Sequence, residues 1–307
     1  MPRSFGGMNR TQSVVLGEVE VLRIVEWQGP FLPADQLVPQ GGPGLWEENV
    51  GWLAPHHWEP ESGMAAAALQ TWVLRSGGRT VVVDTGIGND RERPETPMFH
   101  RWQGDFLGRL AEAGVRPEEV DVVVNTHLHA DHIGWNTTEV DGEWVPTFPN
   151  ARYLLNAADD FHFGPENSFD GGKLESRLIY LDSIAPVVRS GQLERWEGVH
   201  RIDENLVLES APGHTPGSAV LRLESGGERA VFVGDLIHSP VQVLAPSCSS
   251  CFCVDPEQAA ASRRRILERA AERRELVVPA HFGGAGALEV RCTPGGGFGV
   301  ERWAAFA

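Results

Sequence analysis

The sequence predicts a single α/β domain. Strand-like and helix-like segments alternate along the whole chain, no internal repeat or low-complexity linker divides them, and 307 residues suffice for one large core. The run Val120-Asp121-Val122-Val123-Val124 has the character of a buried strand.

Taken in order, residues 1–16 are Gly-, Ser-, Arg- and Asn-rich and read as a flexible arm. The domain is expected over 17–285. Residues 17–25 alternate polar and apolar, the period of a half-buried strand. Residues 28–63 hold six Pro, many Gly, and Trp46, Trp52 and Trp58, and read as a long irregular loop. Loops of that length inside compact domains are uncommon and often act as lids. The alternative is an arm that packs its Trp side chains on the core or on a second subunit, which would make the protein a homodimer. His56-His57, within this stretch, has no partner at ligand spacing and reads as non-metal.

Segments 69–75 and 80–84 form a β-hairpin around Ser76-Gly77-Gly78. Phe99, Trp102, Phe106, Leu107 and Leu110 fall at helical spacing, so 98–113 is expected to be an amphipathic helix stopped by Gly114. Strands follow at 120–125 and 151–155, then a helical segment over 173–190 interrupted by Pro186. Three strands come next, at 205–209, 218–224 and 229–233. Asp255-Pro256 opens a helix with Asp as N-cap and Pro at the first helical position. A last strand over 276–280 leads to His281, and the Gly-rich C-terminal tail, 286–307, reads as irregular.

Composition narrows the function. The chain has 26 basic and 42 acidic residues, a net charge of −16, which repels polyanions and anionic membrane surfaces. Neither a signal-peptide core nor a run of about 20 apolar residues is present, so a cytoplasmic protein acting on a small molecule is expected, without nucleic-acid or membrane partners. Four Cys do not make a disulfide framework.

The chemistry concentrates in Asn125-Thr126-His127-Leu128-His129-Ala130-Asp131-His132, where an apolar strand gives way to polar sequence. Imidazole nitrogens and carboxylate oxygens suit borderline divalent metals such as zinc, and also Mn, Fe and Co. Further candidate ligands follow apolar strands: His214 in Ala211-Pro212-Gly213-His214-Thr215-Pro216-Gly217, Asp235 in Val233-Gly234-Asp235, and His281 after Pro279-Ala280. Asp84, in Asp84-Thr85-Gly86, also ends a strand.

Together, V-V-D-T-G, H-L-H-A-D-H, G-H-T-P-G-S, G-D-L and A-H-F resemble, in order, the motifs of the metallo-β-lactamase-fold hydrolases over about residues 17–285. The resemblance implies an αββα sandwich with a metal site along one edge. It implies that His127, His129 and His214 bind one metal ion, that Asp131, His132 and His281 bind a second, that Asp235 bridges the two, and that Asp84 orients the site from behind. Two divalent ions, zinc foremost, would activate a bridging hydroxide for attack on a lactone, carboxylic ester or phosphotriester. Asp131, with a spare oxygen, is the candidate to carry the proton to the leaving group. Gly234-Asp235-Leu236-Ile237-His238-Ser239-Pro240 and the Asp255-Pro256 helix resemble the methyl-parathion-hydrolase and lactonase-like branch. Classical zinc β-lactamases carry Cys in the region of Asp235 and are exported, which leaves at most weak β-lactam turnover. The same fold also supports iron oxidoreductases of the persulfide-dioxygenase kind, as well as non-catalytic binding proteins.

For the pocket, Trp135 directly follows the motif and is either a pocket wall or core. His238, three residues past Asp235, is expected near the site without being a ligand. His162 and His200 carry no motif and read as surface residues, Tyr153 reads as a structural residue of its strand, and Tyr180 sits where it could reach a pocket. Cys248, Cys251 and Cys253 read as plain thiols in a loop, and Cys292 stands alone.

Overall fold

A computed structural model describes residues 12–304 and 306. Strands Gln12–Leu16, Val19–Pro33, Met64–Ser76, Arg79–Val83, Val122–Val124, Arg152–Asn156 and Leu193–Trp196 lie side by side in one sheet, with Trp58–Glu59 paired on Met64–Ser76. Val199–Arg201, Leu206–Ser210, Ala219–Ser225, Glu228–Gly234, Leu276–Pro279, Leu288–Cys292 and Phe298–Trp303 form a second, and Thr137–Val140 pairs with Glu143–Pro146 in a small third.

Side-chain alternation explains the layers. Val81, Val83, Val122 and Val124 point inward and meet Leu221, Leu223, Phe232 and Val278 of the other sheet. Val82 and Val123 point the other way, onto Phe106 and Leu110 of the helix Phe106–Glu112. On the second sheet Val231, Val233 and Val277 face Ile266, Leu267 and Ala270 of the helix Pro256–Arg273. The result is helix, sheet, sheet, helix, the αββα arrangement. Trp72 and Phe232 meet edge-on between the sheets, ring centres 5.9 Å apart. Phe232→Ala is expected to cost about 3–5 kcal/mol, read as a lower urea midpoint at unchanged slope. A negligible shift would mean that this contact does not hold the sheets together.

Several expectations change. Residues 1–11 of the expected arm lie outside the described residues, but Gln12–Leu16 is a strand, antiparallel to Val19–Pro33 with Leu16 opposite Val19. Gly17, at φ 61°, makes the tight turn between them. The irregular loop expected over 28–63 is ordered: Val19–Pro33 runs on as a strand, and helices Ala34–Leu37, Gly42–Glu47 and Val50–Leu53 follow. Pro30 is accommodated because the pairing register shifts between Pro30 and Leu32. Trp46 and Trp58 are buried with Leu37, Leu53 and Val241, so these two indoles pack on the chain's own core. The expected helix over 98–113 shrinks to Phe106–Glu112, because Phe99 turns away to join Trp27, Leu69 and Ile87. The C-terminal tail is not irregular: Leu288–Cys292 and Phe298–Trp303 form an antiparallel hairpin on the sheet edge, with the Gly-rich stretch as its turn.

Parallel pairing positions the site. Val83 lies opposite Val124 in one sheet, and Gly234 opposite Pro279 in the other. Parallel strands end at the same edge, so the loops after them leave the sandwich together.

Candidate metal centre

Asp84, His127, Asp235 and His281 sit just past those strand ends, and His214 lies in the loop after Leu206–Ser210. Val122–Val124 leads to Thr126 and His127, and Arg79–Val83 leads to Asp84, whose φ of 56° turns the chain. His129 precedes the short helix Ala130–Ile133, which carries Asp131 and His132. In the second sheet Asp235 follows Glu228–Gly234, and His281 follows Leu276–Pro279. The Ala219 amide donates to the Thr126 carbonyl and joins the two sheets beside the site. Gly213, at φ 131°, brings the His214 loop so close to the helix Pro256–Arg273 that a Cβ would lie 2.1 Å from the Ala259 nitrogen.

The seven residues named from the motifs converge. His127 Nε2 is 3.1 Å from His129 Nδ1, and His214 Nε2 is 3.2 and 3.0 Å from these two atoms. Asp235 Oδ2 completes the group, 3.6 Å from His127 Nε2 and 3.3 Å from His214 Nε2. Its other oxygen, Oδ1, is 3.2 Å from His132 Nε2 and 2.9 Å from His281 Nε2. Asp131 closes the second group, with Oδ1 3.8 Å from His132 Nε2 and Oδ2 3.6 Å from His281 Nε2.

These spacings fit metal ions. Bonds of about 2.0–2.1 Å in a tetrahedron give ligand-to-ligand edges of about 3.3–3.4 Å. Three imidazole nitrogens in one triangle cannot satisfy one another, since a ring proton bridges only one pair at a time. His132 Nε2 and Asp235 Oδ1 are buried without a hydrogen-bond partner, although they face each other. A cation resolves both situations. The site therefore fits His127, His129, His214 and Asp235 as one ligand set and Asp131, His132 and His281 as another, with Asp235 Oδ1 within reach of the second as well.

The outer hydrogen bonds set the ring orientations. Asp84 Oδ2 lies 2.8 Å from His132 Nδ1 and accepts from the Thr126 hydroxyl, while Oδ1 accepts from the Thr126 amide. The same hydroxyl is 3.1 Å from His127 Nδ1. His281 Nδ1 is 2.9 Å from the Ala68 carbonyl oxygen. Such partners fix the tautomer that presents a lone pair to a metal.

The two groups differ electrostatically. Burial, reinforced by neighbouring imidazoles, holds His127 and His214 well below the ordinary imidazole range, and His129 is lowered to about 4. Burial also opposes a charge on His132 and His281. There the carboxylates win: Asp235, Asp131 and Asp84 push His132 well above its usual value, and Asp235 and Asp131 raise His281. Burial likewise works against an ionised Asp235, but His132, His281 and His238 hold it well below the usual carboxylate range.

The remaining candidate residues take varied places. His238 is near the site as expected: it is buried with Nε2 3.0 Å from Asp235 Oδ2, and its ring stacks on His281 at 5.5 Å. Trp135 is not a pocket wall: it is buried in the layer outside the first sheet, stacked on Phe106 at 5.5 Å. His57 is buried against Trp303, His162 pairs with Asp170, and His200 lies near Glu194. Tyr153 is a core residue whose hydroxyl donates to the Asn136 carbonyl, and the Tyr180 hydroxyl donates to Asp160. All four Cys are free thiols, but Cys253 Sγ comes within 3.8 Å of His214 Nδ1. Neither that contact nor the role of Thr126 carries a spacing signal. The rim of the centre is aromatic: Phe163 is 5.8 Å from His129, Phe252 is 5.8 Å from His238, and Phe31 lies 6.1 Å from Phe252. Among the described residues no helix is long and apolar enough to cross a membrane.

Known proteins resemble this chain in sequence and in fold. The family model of the metallo-beta-lactamase superfamily matches residues 69–281. A ribonuclease of Thermus thermophilus, TTHA0252, is 28% identical over 185 residues, covering 56% of this chain and 36% of the ribonuclease. The N-acyl homoserine lactonase AttM of Azorhizobium caulinodans is 26% identical over 138 residues, covering 43% of this chain and 46% of the lactonase. The chain thus spans less than half the length of either. Among solved structures, the dizinc quorum-quenching lactonase AidC, bound to its product, superposes with a TM-score of 0.76 at 20% identity, covering 97% of this chain and 98% of that one.

Proposed function

The chain belongs to the metallo-β-lactamase superfamily, and from that premise we propose that it is a hydrolase using two divalent metal ions on a lactone, carboxylic ester or phosphotriester. The observation that carries the two-metal reading is Asp235, whose two oxygens face two separate ligand groups. Zinc suits the five imidazoles and two carboxylates of these groups. When bound, two such ions lower the pKa of water and withdraw charge from the electrophile's oxygen.

The chain's own side chains supply the rest. Asp84, Thr126 and the Ala68 carbonyl hold the imidazoles in orientation. Asp131 is less buried than Asp235, which suits it to pass a proton to a leaving group at the mouth of the site. His238 braces the Asp235 carboxylate. Phe31, Phe163 and Phe252 exclude water from the rim and favour a substrate with an apolar group beside the scissile bond. The dizinc lactonase of similar fold and the lactonase related in sequence support a lactone as the first substrate to try.

The test is a panel: zinc-reconstituted protein against a homoserine lactone, an aryl ester, an aryl phosphotriester and a chromogenic β-lactam. Turnover of at least one of the first three is expected, abolished by a chelator and restored by Zn2+. Silence on those three would overturn the reading. Iron with oxygen consumption would point instead to the oxidoreductases of this fold.

A further inference from the structure

The imidazoles of the two groups are anchored in different ways. His132 has a carboxylate, Asp84, on its ring. The rings of His127 and His214 have only the Thr126 hydroxyl and the Cys253 sulfur beside their Nδ1 atoms. The trio also comes from two separate loops, one after a strand of each sheet. Its 3.0–3.2 Å spacing therefore depends on how firmly those loops are held together.

One buried carboxylate touches both loops. Asp159 lies in the helix Ala157–Phe163, fully out of solvent. Its Oδ2 accepts from the Leu128 amide at 3.0 Å and from the Thr215 hydroxyl at 2.9 Å, and its Oδ1 accepts from the Gly217 amide at 2.6 Å. Leu128 stands between His127 and His129, and Thr215 directly follows His214. Gly217 packs so closely that a Cβ would lie 2.5 Å from the Asp159 nitrogen and 2.8 Å from its carboxyl carbon. A buried carboxylate with no cationic partner is costly, and here three donors aimed at it supply the compensation.

We propose that Asp159 is a positioning residue that clamps the loops of His127, His129 and His214 into one metal-binding triangle, the counterpart for this group of what Asp84 does for His132. The consequence for metal rests on the two-metal reading above. The clamp itself does not.

Asp159→Asn tests it, because an amide offers one acceptor oxygen where the carboxylate offers two. Either the Gly217 amide or the pair at Leu128 and Thr215 must then face an NH2 group. In the metal-free protein, hydrogen exchange at the backbone around Leu128 and Gly217 is expected to quicken by about 10–100-fold, with the His281 loop unchanged. Unchanged exchange at both places would overturn the clamp. For metal, Co2+ is titrated with absorption as the readout in a His281→Ala background, which leaves the trio intact, and in a His214→Ala background, which leaves the other group. Asp159→Asn is expected to weaken Co2+ binding about 10–100-fold in the first background and hardly at all in the second. Equal weakening in both, or none in the first, would overturn the proposal. Failure of the two-metal reading would show separately, as an unsubstituted chain that takes up fewer than two ions. If Asp159→Asn does not fold, Thr215→Val, which removes one of the three contacts without changing shape, carries the same test with a smaller shift.

Discussion

Asp235→Ala is expected to lower kcat/KM by at least about 1,000-fold on any substrate the chain turns over, and to reduce bound metal from two ions to one or fewer. Asp235 offers one carboxylate oxygen to each ligand group. Oδ2 faces His127 and His214 at 3.6 and 3.3 Å, and Oδ1 faces His132 and His281 at 3.2 and 2.9 Å. Alanine removes a ligand from each set and leaves buried imidazoles without their shared counter-charge. The metal-free fold should suffer as well, because breaking a buried charge pair from one side typically costs about 3–5 kcal/mol. His238→Ala offers a graded comparison: it removes the 3.0 Å contact to Oδ2 and the ring's packing on His281 and Phe252 but no member of the two ligand groups, so about 10–100-fold is expected, the range for an outer-layer partner. Metal analysis, steady-state kinetics and thermal melts on the three proteins separate the effects. An Asp235→Ala protein that kept two ions and parental kcat/KM would eliminate Asp235 as a shared ligand.

The readable parts of this sequence are those in which local chemistry and chain period agree. H-L-H-A-D-H places four ligand-type residues in one loop, and β-branched runs such as Val122–Val124 declare a buried strand. His214, Asp235 and His281 are legible because each lies in the short stretch that follows an apolar strand. What escaped depends on contacts distant in sequence. Gln12–Leu16 and Phe298–Trp303 are edge strands, short and flanked by Gly, and only the sheet beside them makes them strands. Val19–Pro33 hides two Pro inside a strand because a register shift absorbs one and the strand end takes the other. Trp135 follows the metal motif directly, yet the short turn Gly134–Asn136 directs it to Phe106. Asp159 lies in Ala157-Ala158-Asp159-Asp160-Phe161, which reads as an ordinary helix start with acidic residues in its first turn. Its three donors come from residues 128, 215 and 217. Periodicity cannot announce an anchor whose partners are dozens of residues away.

The two ligand groups are also expected to fill with different pH dependences. In the metal-free protein His127, His129 and His214 are held below the ordinary imidazole range, so near neutral pH they already offer free lone pairs. Protons compete there only in acid, and at His129 only as pH falls to about 4. His132 and His281 are raised above the ordinary value by Asp235 and Asp131, so both retain protons at a pH where a free imidazole has lost its own. A metal entering the second group must displace those protons, and each one displaced makes affinity fall about tenfold per pH unit of acidification. The window for this is the whole pH range below the raised values of His132 and His281. The first ion should therefore bind with little proton release and a flat pH profile through neutrality. The second should release about two protons, one each from His132 and His281, and bind about 100-fold more weakly for each unit of acidification within that window. Stability follows the same signs. The raised pair supports the metal-free fold below about 6.5 and loses that contribution as pH rises through the folded values, whereas the lowered trio costs stability as pH falls below about 6.5. Calorimetric titration in buffers of different ionisation enthalpy counts the protons at each step, and chelator competition at several pH values gives the affinities. Equal proton release at both steps would mean that the carboxylates of Asp131 and Asp235 do not divide the centre electrostatically. A second ion that binds as flatly with pH as the first would count equally against it.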